Sequence, residues 1–454
     1  MTSKGGAELI KRTINIDFSH RLGKIKPVNC LNNGPFFGID MRYDFSEQYR
    51  EMSPPYVRVS DVEAPYASSR YLDIHCIFPD MALDERFELS YNFGPTDEYL
   101  AAVKETGAEI FLRLGESSEP YEVKKYTRTP ADIQKTARIC ERIIAHYNKG
   151  WAKGFKYNIK YVEIMASPDV PTGWASSRKE YFELYSVIAN HIKERFPKIR
   201  VGAYSSGGFF SLNHYDASPL EKSYIPFLED FLSYISRIKK APLDFLSWKC
   251  YAESEEEINL HANYAASYLS QYGFKRAESI ISEFNLRDTK QKRSFLEKSY
   301  PARLARSLIL AEKSNVDMMF YYHLDPLSEW NGLYALEDRT GKRIYAPYHV
   351  MKAFGTLSRL GNVVDSREDY RRELYTLAAA DDNSGACFFA TADYSGPVEI
   401  VITGKEYTKY SLKGIIGGGD RGAGFFIDQQ GLPLRDGTVS FKVGRDQVYL
   451  LTFS

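Results

Sequence analysis

The chain has 454 residues, more than one ordinary core supports but suited to a large barrel joined to a smaller domain. Its 59 basic and 59 acidic residues cancel, so no summed field draws it to nucleic acid or to anionic lipid, and a neutral or locally recognised substrate is favoured. Cys30, Cys76, Cys140, Cys250 and Cys387 are scattered without the spacing of a zinc site or a disulfide framework, and no apolar run is long enough to span a bilayer. No cofactor and no metal are expected. The first six residues lack the apolar run of a secretory signal. With a signal trimmed away the protein would be exported, and a periplasmic or extracellular setting is the expectation, with a cytoplasmic one as the alternative. The state of assembly is not readable.

In chain order, short apolar runs alternate with longer amphipathic ones, the pattern of repeated β-α units around a parallel sheet. The expected strands are Phe36–Asp40, Tyr56–Asp61, Glu109–Leu114, Tyr161–Ala166, Arg200–Ser205, Phe245–Tyr251, Ser279–Phe284 and Met318–His323. Between them, apolar residues at three- and four-residue spacing predict helices over Thr96–Thr106, Thr129–Asn148, Ser177–Phe196, Ser223–Lys239, Glu255–Tyr272 and Tyr300–Lys313, with a last one over Tyr348–Leu360. Beyond residue 360 the period changes to two. Segments such as Val398–Ile402 and Gln447–Phe453, separated by Gly, Asp and Ser turns, predict a β-sandwich, to which Thr13–Phe18 can add a strand. The expected class is therefore α/β: a (β/α)8 TIM barrel over 29–360, a C-terminal β-sandwich over 361–454, and an N-terminal segment, 1–28, shared with the sandwich.

In such barrels the C-terminal strand ends and the loops after them build the active site. Strand two brings Arg58 and Asp61 to the rim, where they can hold a carboxylate ionised or form a structural ion pair. His75, in the loop that follows, can line a pocket or merely pack. Strand three ends in Arg113-Leu114-Gly115-Glu116-Ser117-Ser118-Glu119, supplying two carboxylates. Strand seven supplies Glu283 directly after an apolar run, where an acid is expected to face the barrel mouth, a buried structural Glu being the alternative. Strand eight adds Tyr322, His323 and Asp325, followed by Trp330, whose ring can stack on a sugar or pack in a core.

These residues carry a resemblance. Asn33-Gly34-Pro35, Arg58 and Asp61, Tyr91-Asn92-Phe93, the Glu163–Pro168 stretch, Tyr181–Tyr185, Asp244–Trp248, Ser282–Asn285 and Asn331-Gly332-Leu333 are similar to glycoside hydrolase family thirty-nine, the retaining β-xylosidases and α-L-iduronidases, over most of residues 30 to 360. The resemblance implies Glu283 as nucleophile. The family's acid/base stands in a Trp-Asn-Glu-Pro motif, and this chain has Met165-Ala166-Ser167-Pro168 there, with Ser167 in place of the acid. It also has Ser60 and Lys249 where the family has His, and His323 where it has Asp.

Departures gathered at one rim indicate a pocket rebuilt for another substrate or released from catalysis. Two readings follow. The first is a retaining glycosidase acting on an oligo- or polysaccharide, with Glu283 as nucleophile and a relocated proton donor drawn from Glu116, Glu119, Asp169, His323 and Lys249, because proton transfer needs reach and a suitable pKa rather than one strand position. The second is an inactive carbohydrate-binding pseudo-glycosidase. In both, substrate contacts are expected from Arg58, Asp61, Ser167, Trp248, Tyr251, Tyr322 and Trp330.

Overall fold

The computed structural model describes residues 10–37, 43–60, 71–287, 297–322, 324, 332–337, 341–369, 373–417 and 424–454. They fall into two compact units, one formed by Pro27–Arg287 with Ser314–Asn331, the other by the remaining segments.

The first unit is a closed eight-stranded parallel barrel. In barrel order its strands are Cys30–Asn32, Tyr56–Val59, Glu109–Leu114, Tyr161–Ile164, Arg200–Ser206, Phe245–Ala252, Glu278–Leu286 and Met318–Tyr321, here numbered one to eight. Seven of these correspond to the expected strands. The first does not: the three buried residues Cys30–Asn32 form it, and Phe36–Phe37 instead makes a short antiparallel ribbon with Tyr43–Asp44. Three residues leave too little period to read, and left-handed backbone at Asn33 (φ 57°) and Gly34 (φ 88°) turns the chain before the more conspicuous Phe-Phe pair. The helix expected from Ser223 begins earlier, spanning Pro219–Ser233, because Ser218 and Glu221 close a capping box and Pro219 fits the first turn.

Alternation along the strands sorts the interior into layers. Tyr56, Phe111, Tyr161, Phe245, Ile280 and Phe320 form an apolar plug, with Phe111 stacked on Tyr161 and edge-on to Phe320. Two residues further along strands two, three, four and six, the same faces carry Arg58, Arg113, Glu163 and Ser247, all fully buried. The plug closes the lower barrel, so polar chemistry is confined to the end where the strands finish.

The second unit holds a nine-stranded mixed sheet curled around its own core, a β-sandwich. Strand Arg12–Lys24 lies inside this sheet, antiparallel to Asn362–Glu368 and parallel to Gly396–Thr403, burying Ile14, Ile16 and Phe18. Helices Tyr300–Glu312 and Ala346–Leu360 group with this unit, where Phe354 meets Phe388 edge-on. Among the described residues no helix is long and apolar enough to cross a membrane.

Candidate active site

Strand seven breaks register with strand six between Ile281 and Glu283, a bulge that leaves Ser282 and Glu283 both directed to the barrel interior. Ser282 is consumed structurally, its hydroxyl paired with that of Ser205 at 2.9 Å. Glu283 is held differently. It is 4% exposed, and three groups converge on it: Lys249 Nζ at 3.1 Å from Oε2, the Tyr251 hydroxyl donating to Oε2 at 2.7 Å, and Arg58 Nη1 at 3.7 Å from Oε1. Lys249 and Tyr251 reach it together because they alternate on strand six. Burial pushes the Glu283 carboxyl up, but the charges of Lys249 and Arg58 and the hydrogen bonds from Tyr251 and Lys249 outweigh it, holding the group below the usual range and ionised.

Arg58 is itself fixed from beneath. Its Nε and Nη2 donate to Glu163 Oε2 at 3.1 and 2.6 Å, both side chains being wholly buried, and Nη1 donates to Asn32 Oδ1 at 3.0 Å. Asn32 in turn donates to the Ser282 carbonyl at 2.8 Å. A guanidinium shared between two buried carboxylates is thus held by strands one, two, four and seven. Glu163 was not among the expected site residues, although its period-two spacing from Tyr161 placed it on the interior face.

The expected proton donors part company. Ser167, expected as a substrate contact where the family has its acid, is in left-handed backbone (φ 53°) and donates its hydroxyl to the Ser205 carbonyl at 3.1 Å and its N–H to the Tyr204 carbonyl. Glu119 accepts from the N–H groups of Lys125, Tyr126 and Thr127 and from the Thr127 hydroxyl; burial raises its pKa, but these bonds more than offset that and keep it low. It organises a loop and has no proton to give. Glu116 is bonded to His75 at 2.5 Å, and burial lifts it to about 7. Asp169 differs from both. Oδ2 accepts from Ser206 Oγ at 3.0 Å and Gly207 N at 2.8 Å, while the buried Oδ1 has no hydrogen-bond partner. Burial raises Asp169 to about 6 against the opposing pull of Gly207, Ser206 and the Lys249 charge. Lys249 therefore acts electrostatically on both Asp169 and Glu283.

Of the expected substrate contacts, Arg58, Tyr251 and Tyr322 gather near Glu283, the Tyr251 and Tyr322 rings meeting at 6.2 Å. Trp248 requires a correction. It points to the other face of strand six, wholly buried against Phe209 and His261, its indole N–H donated to Ser279. Standing between Ser247 and Lys249, it has the opposite parity to the inward-facing residues and no access to the mouth. Asp61, His323, Asp325 and Trp330 lie outside the described residues. Asp73, His75 and Glu116 bring three ligand-type atoms within 4.8 Å of one another. The Asp73 Oδ1, however, already takes Arg113 and both the N–H and hydroxyl of Ser117, so this set reads as an ion-pair network rather than an open coordination site.

No family profile matches the sequence. Among solved structures, the chain is similar to a glucosidase from Croceicoccus marinus (17% identity, 99% of each chain covered, TM-score 0.78). It is similar also to the GH39 enzyme of Xanthomonas axonopodis pv. citri (16% identity, 100% of this chain and 99% of that one, TM-score 0.71). A third is a monomeric β-xylosidase from Caulobacter crescentus CB15 (15% identity, 97% and 99% covered, TM-score 0.68). At these identities the likeness is one of fold: barrel and β-sandwich together are built as in glycoside hydrolases of the GH39 type.

Proposed function

We propose that the protein cleaves a glycosidic bond by a retaining mechanism, with Glu283 as nucleophile and Asp169 as proton donor. The observation that carries this is the Glu283 carboxylate, ionised and directed inward at the C-terminal end of strand seven between Lys249, Arg58 and Tyr251. In the first step a Glu283 oxygen bonds to the anomeric carbon, the bond to the leaving oxygen breaks, and that oxygen takes the Asp169 proton. In the second, water gives a proton back to Asp169 and its oxygen displaces Glu283 from the anomeric carbon, restoring both groups. A carboxyl with a pKa of about 6 suits both halves of this cycle, since it holds its proton in part of the population and can take one back. Arg58, fixed by Glu163, and Tyr251 steady the nucleophile.

The substrate class, an oligo- or polysaccharide, follows from this reading and from the glycoside hydrolases that share the fold. A periplasmic or extracellular setting goes with it. The five free cysteines, four of them buried, neither require nor oppose that setting.

A specific observation favours a second reading, sugar binding without turnover. Lys249 lies directly on Glu283 at 3.1 Å, and an ammonium so placed draws down the nucleophilicity of the carboxylate it holds ionised. The two readings separate in one experiment. Aryl glycosides with activated leaving groups are assayed with the native protein, Glu283→Gln and Asp169→Asn. The enzyme reading expects turnover that vanishes in Glu283→Gln. In Asp169→Asn, kcat/KM falls by about a hundredfold to ten-thousandfold on poor leaving groups but little on activated ones, whereas kcat on activated substrates falls through the slowed second step and is restored by azide. Saturable oligosaccharide binding by calorimetry with no turnover of any glycoside establishes the second reading instead.

A further inference from the structure

A cavity of about 530 Å³ opens in the barrel unit between the loop after strand two, the loop after strand three and the helix Arg178–Arg195. Its inner wall is apolar: Leu114, Met165, Trp174, Leu184 and Ile188 line it and are all buried. The Trp174 indole N–H is already donated to the Ser177 carbonyl, so the ring offers only its apolar surface. This volume and lining fit a small-molecule site, which is concave and mostly apolar with a few placed polar groups.

Charge is distributed unevenly along it. Within the cavity, Glu116 is bonded to His75, which stacks on Tyr126 with ring centroids 3.6 Å apart. Both Glu116 oxygens are taken by the backbone N–H and ring of His75, so this end of the cavity offers an anion no uncommitted cation. At the rim stand Lys125, Arg128 and Lys135 against the single acid Asp132. Lys135 is engaged with the carbonyls of Met81 and Leu83, leaving Lys125 and Arg128 as the cations turned to solvent. Two residues of the lining, Met81 and Tyr126, are large apolar side chains left exposed.

We infer that this cavity is a ligand site separate from Glu283 and takes an amphiphilic anion, with an alkyl or aryl body against Met165, Trp174 and Leu184 and an anionic head between Lys125 and Arg128. The apolar lining supplies the affinity, and the rim cations orient the head outward, away from Glu116.

The test uses decanoate below its micellar concentration, with decanol as the uncharged probe of equal length, titrated calorimetrically into the full-length protein. Three variants accompany it: Ala131→Trp, which plugs the rim, the double variant Lys125→Glu with Arg128→Glu, and Glu283→Gln, each checked for native circular dichroism. The inference expects saturable one-to-one decanoate binding, abolished by Ala131→Trp, unchanged by Glu283→Gln, and weakened by about tenfold or more in the charge-reversed double variant while decanol is unaffected. Absence of saturable binding, or binding indifferent to Ala131→Trp, overturns the site. Equal affinity for decanoate and decanol, unmoved by charge reversal, overturns the anionic head. Loss of decanoate binding in Glu283→Gln places the ligand at the barrel mouth and overturns the separate site.

Discussion

Asp169 and Glu283 are two buried carboxyls given opposite characters by what faces them. Glu283 has two cations and a phenol and stays charged; Asp169 has two donors on one oxygen and none on the other, and is pushed up to about 6. The shift has a consequence for stability. A carboxyl whose folded pKa lies above its unfolded value makes the folded state the stronger proton binder, so stability falls as pH rises from about 4 through about 6. Asp169→Asn keeps an oxygen for Ser206 and Gly207 and removes the charge. It should therefore raise stability at pH 7 by roughly 2 to 3 kcal/mol, read as a higher melting temperature, and leave it nearly unchanged at pH 4. A variant no more stable at pH 7 than the native protein contradicts the assignment. Lys249→Met removes the nearest cation from Glu283, so the acidic limb of the kcat/KM profile on activated glycosides should move to higher pH. The inward placing of Glu283 was legible in the sequence because it closes an apolar strand. Lys249 was legible only as a departure from a resembled family, since its contact with Glu283 depends on a bulge that no local pattern announces. What sets Asp169 apart from Glu116 and Glu119, the partners of each carboxyl oxygen, is not written in the sequence.

At the scale of the element, alternation predicts more than single residues do. Strands two, three, four and six each present an aromatic in the plug and then a polar residue two positions on, so Tyr56 leads to Arg58, Phe111 to Arg113, Tyr161 to Glu163 and Phe245 to Ser247. The same parity puts Trp248 on the far face, against the helix Glu257–Gln271 through His261. An aromatic chosen for its type alone was the wrong guide there; its parity was the right one. Glu163, passed over in the sequence, follows from the same count. Because it is wholly buried and takes two of the hydrogen bonds of Arg58, Glu163→Ala should destabilise the barrel by about 3 to 5 kcal/mol, measured by urea unfolding, through the buried Nε and Nη2 donors it strips of their carboxylate. A loss below about 1 kcal/mol would show that Arg58 has another partner of equal worth. The first barrel strand escaped the sequence because three residues carry no readable period, whereas the long helices, with capping residues such as Ser177 and Glu180, were readable almost to their ends.

For the whole molecule, the chain begins in the sheet unit, leaves it to build the barrel, and returns. Strand Arg12–Lys24 sits between two other strands of the nine-stranded sheet rather than at its edge. Deleting residues 1–24 withdraws Ile14, Ile16 and Phe18 from the core, a loss of roughly 1.5 to 3 kcal/mol for each side chain, and exposes two unpaired strand edges. The truncated protein should aggregate, or show rapid proteolysis within 362–454, while the full chain resists. The switch from a mixed helical period to a period of two near residue 360 made the two-part architecture legible, whereas the parallel pairing of an N-terminal strand with Gly396–Thr403 spans nearly the whole chain, and no local pattern encodes it.

Bonding of Glu283 to an anomeric carbon is the event on which the proposed cleavage depends, and covalent trapping reads it directly. The protein is incubated with a panel of 2-deoxy-2-fluoro glycosides bearing dinitrophenyl leaving groups, then digested and analysed by mass spectrometry. One member of the panel should add the mass of a single fluoroglycosyl group to the peptide containing Glu283, and none should label Glu283→Gln. A label on a different carboxylate, or turnover of dinitrophenyl glycosides that persists undiminished in Glu283→Gln, contradicts it.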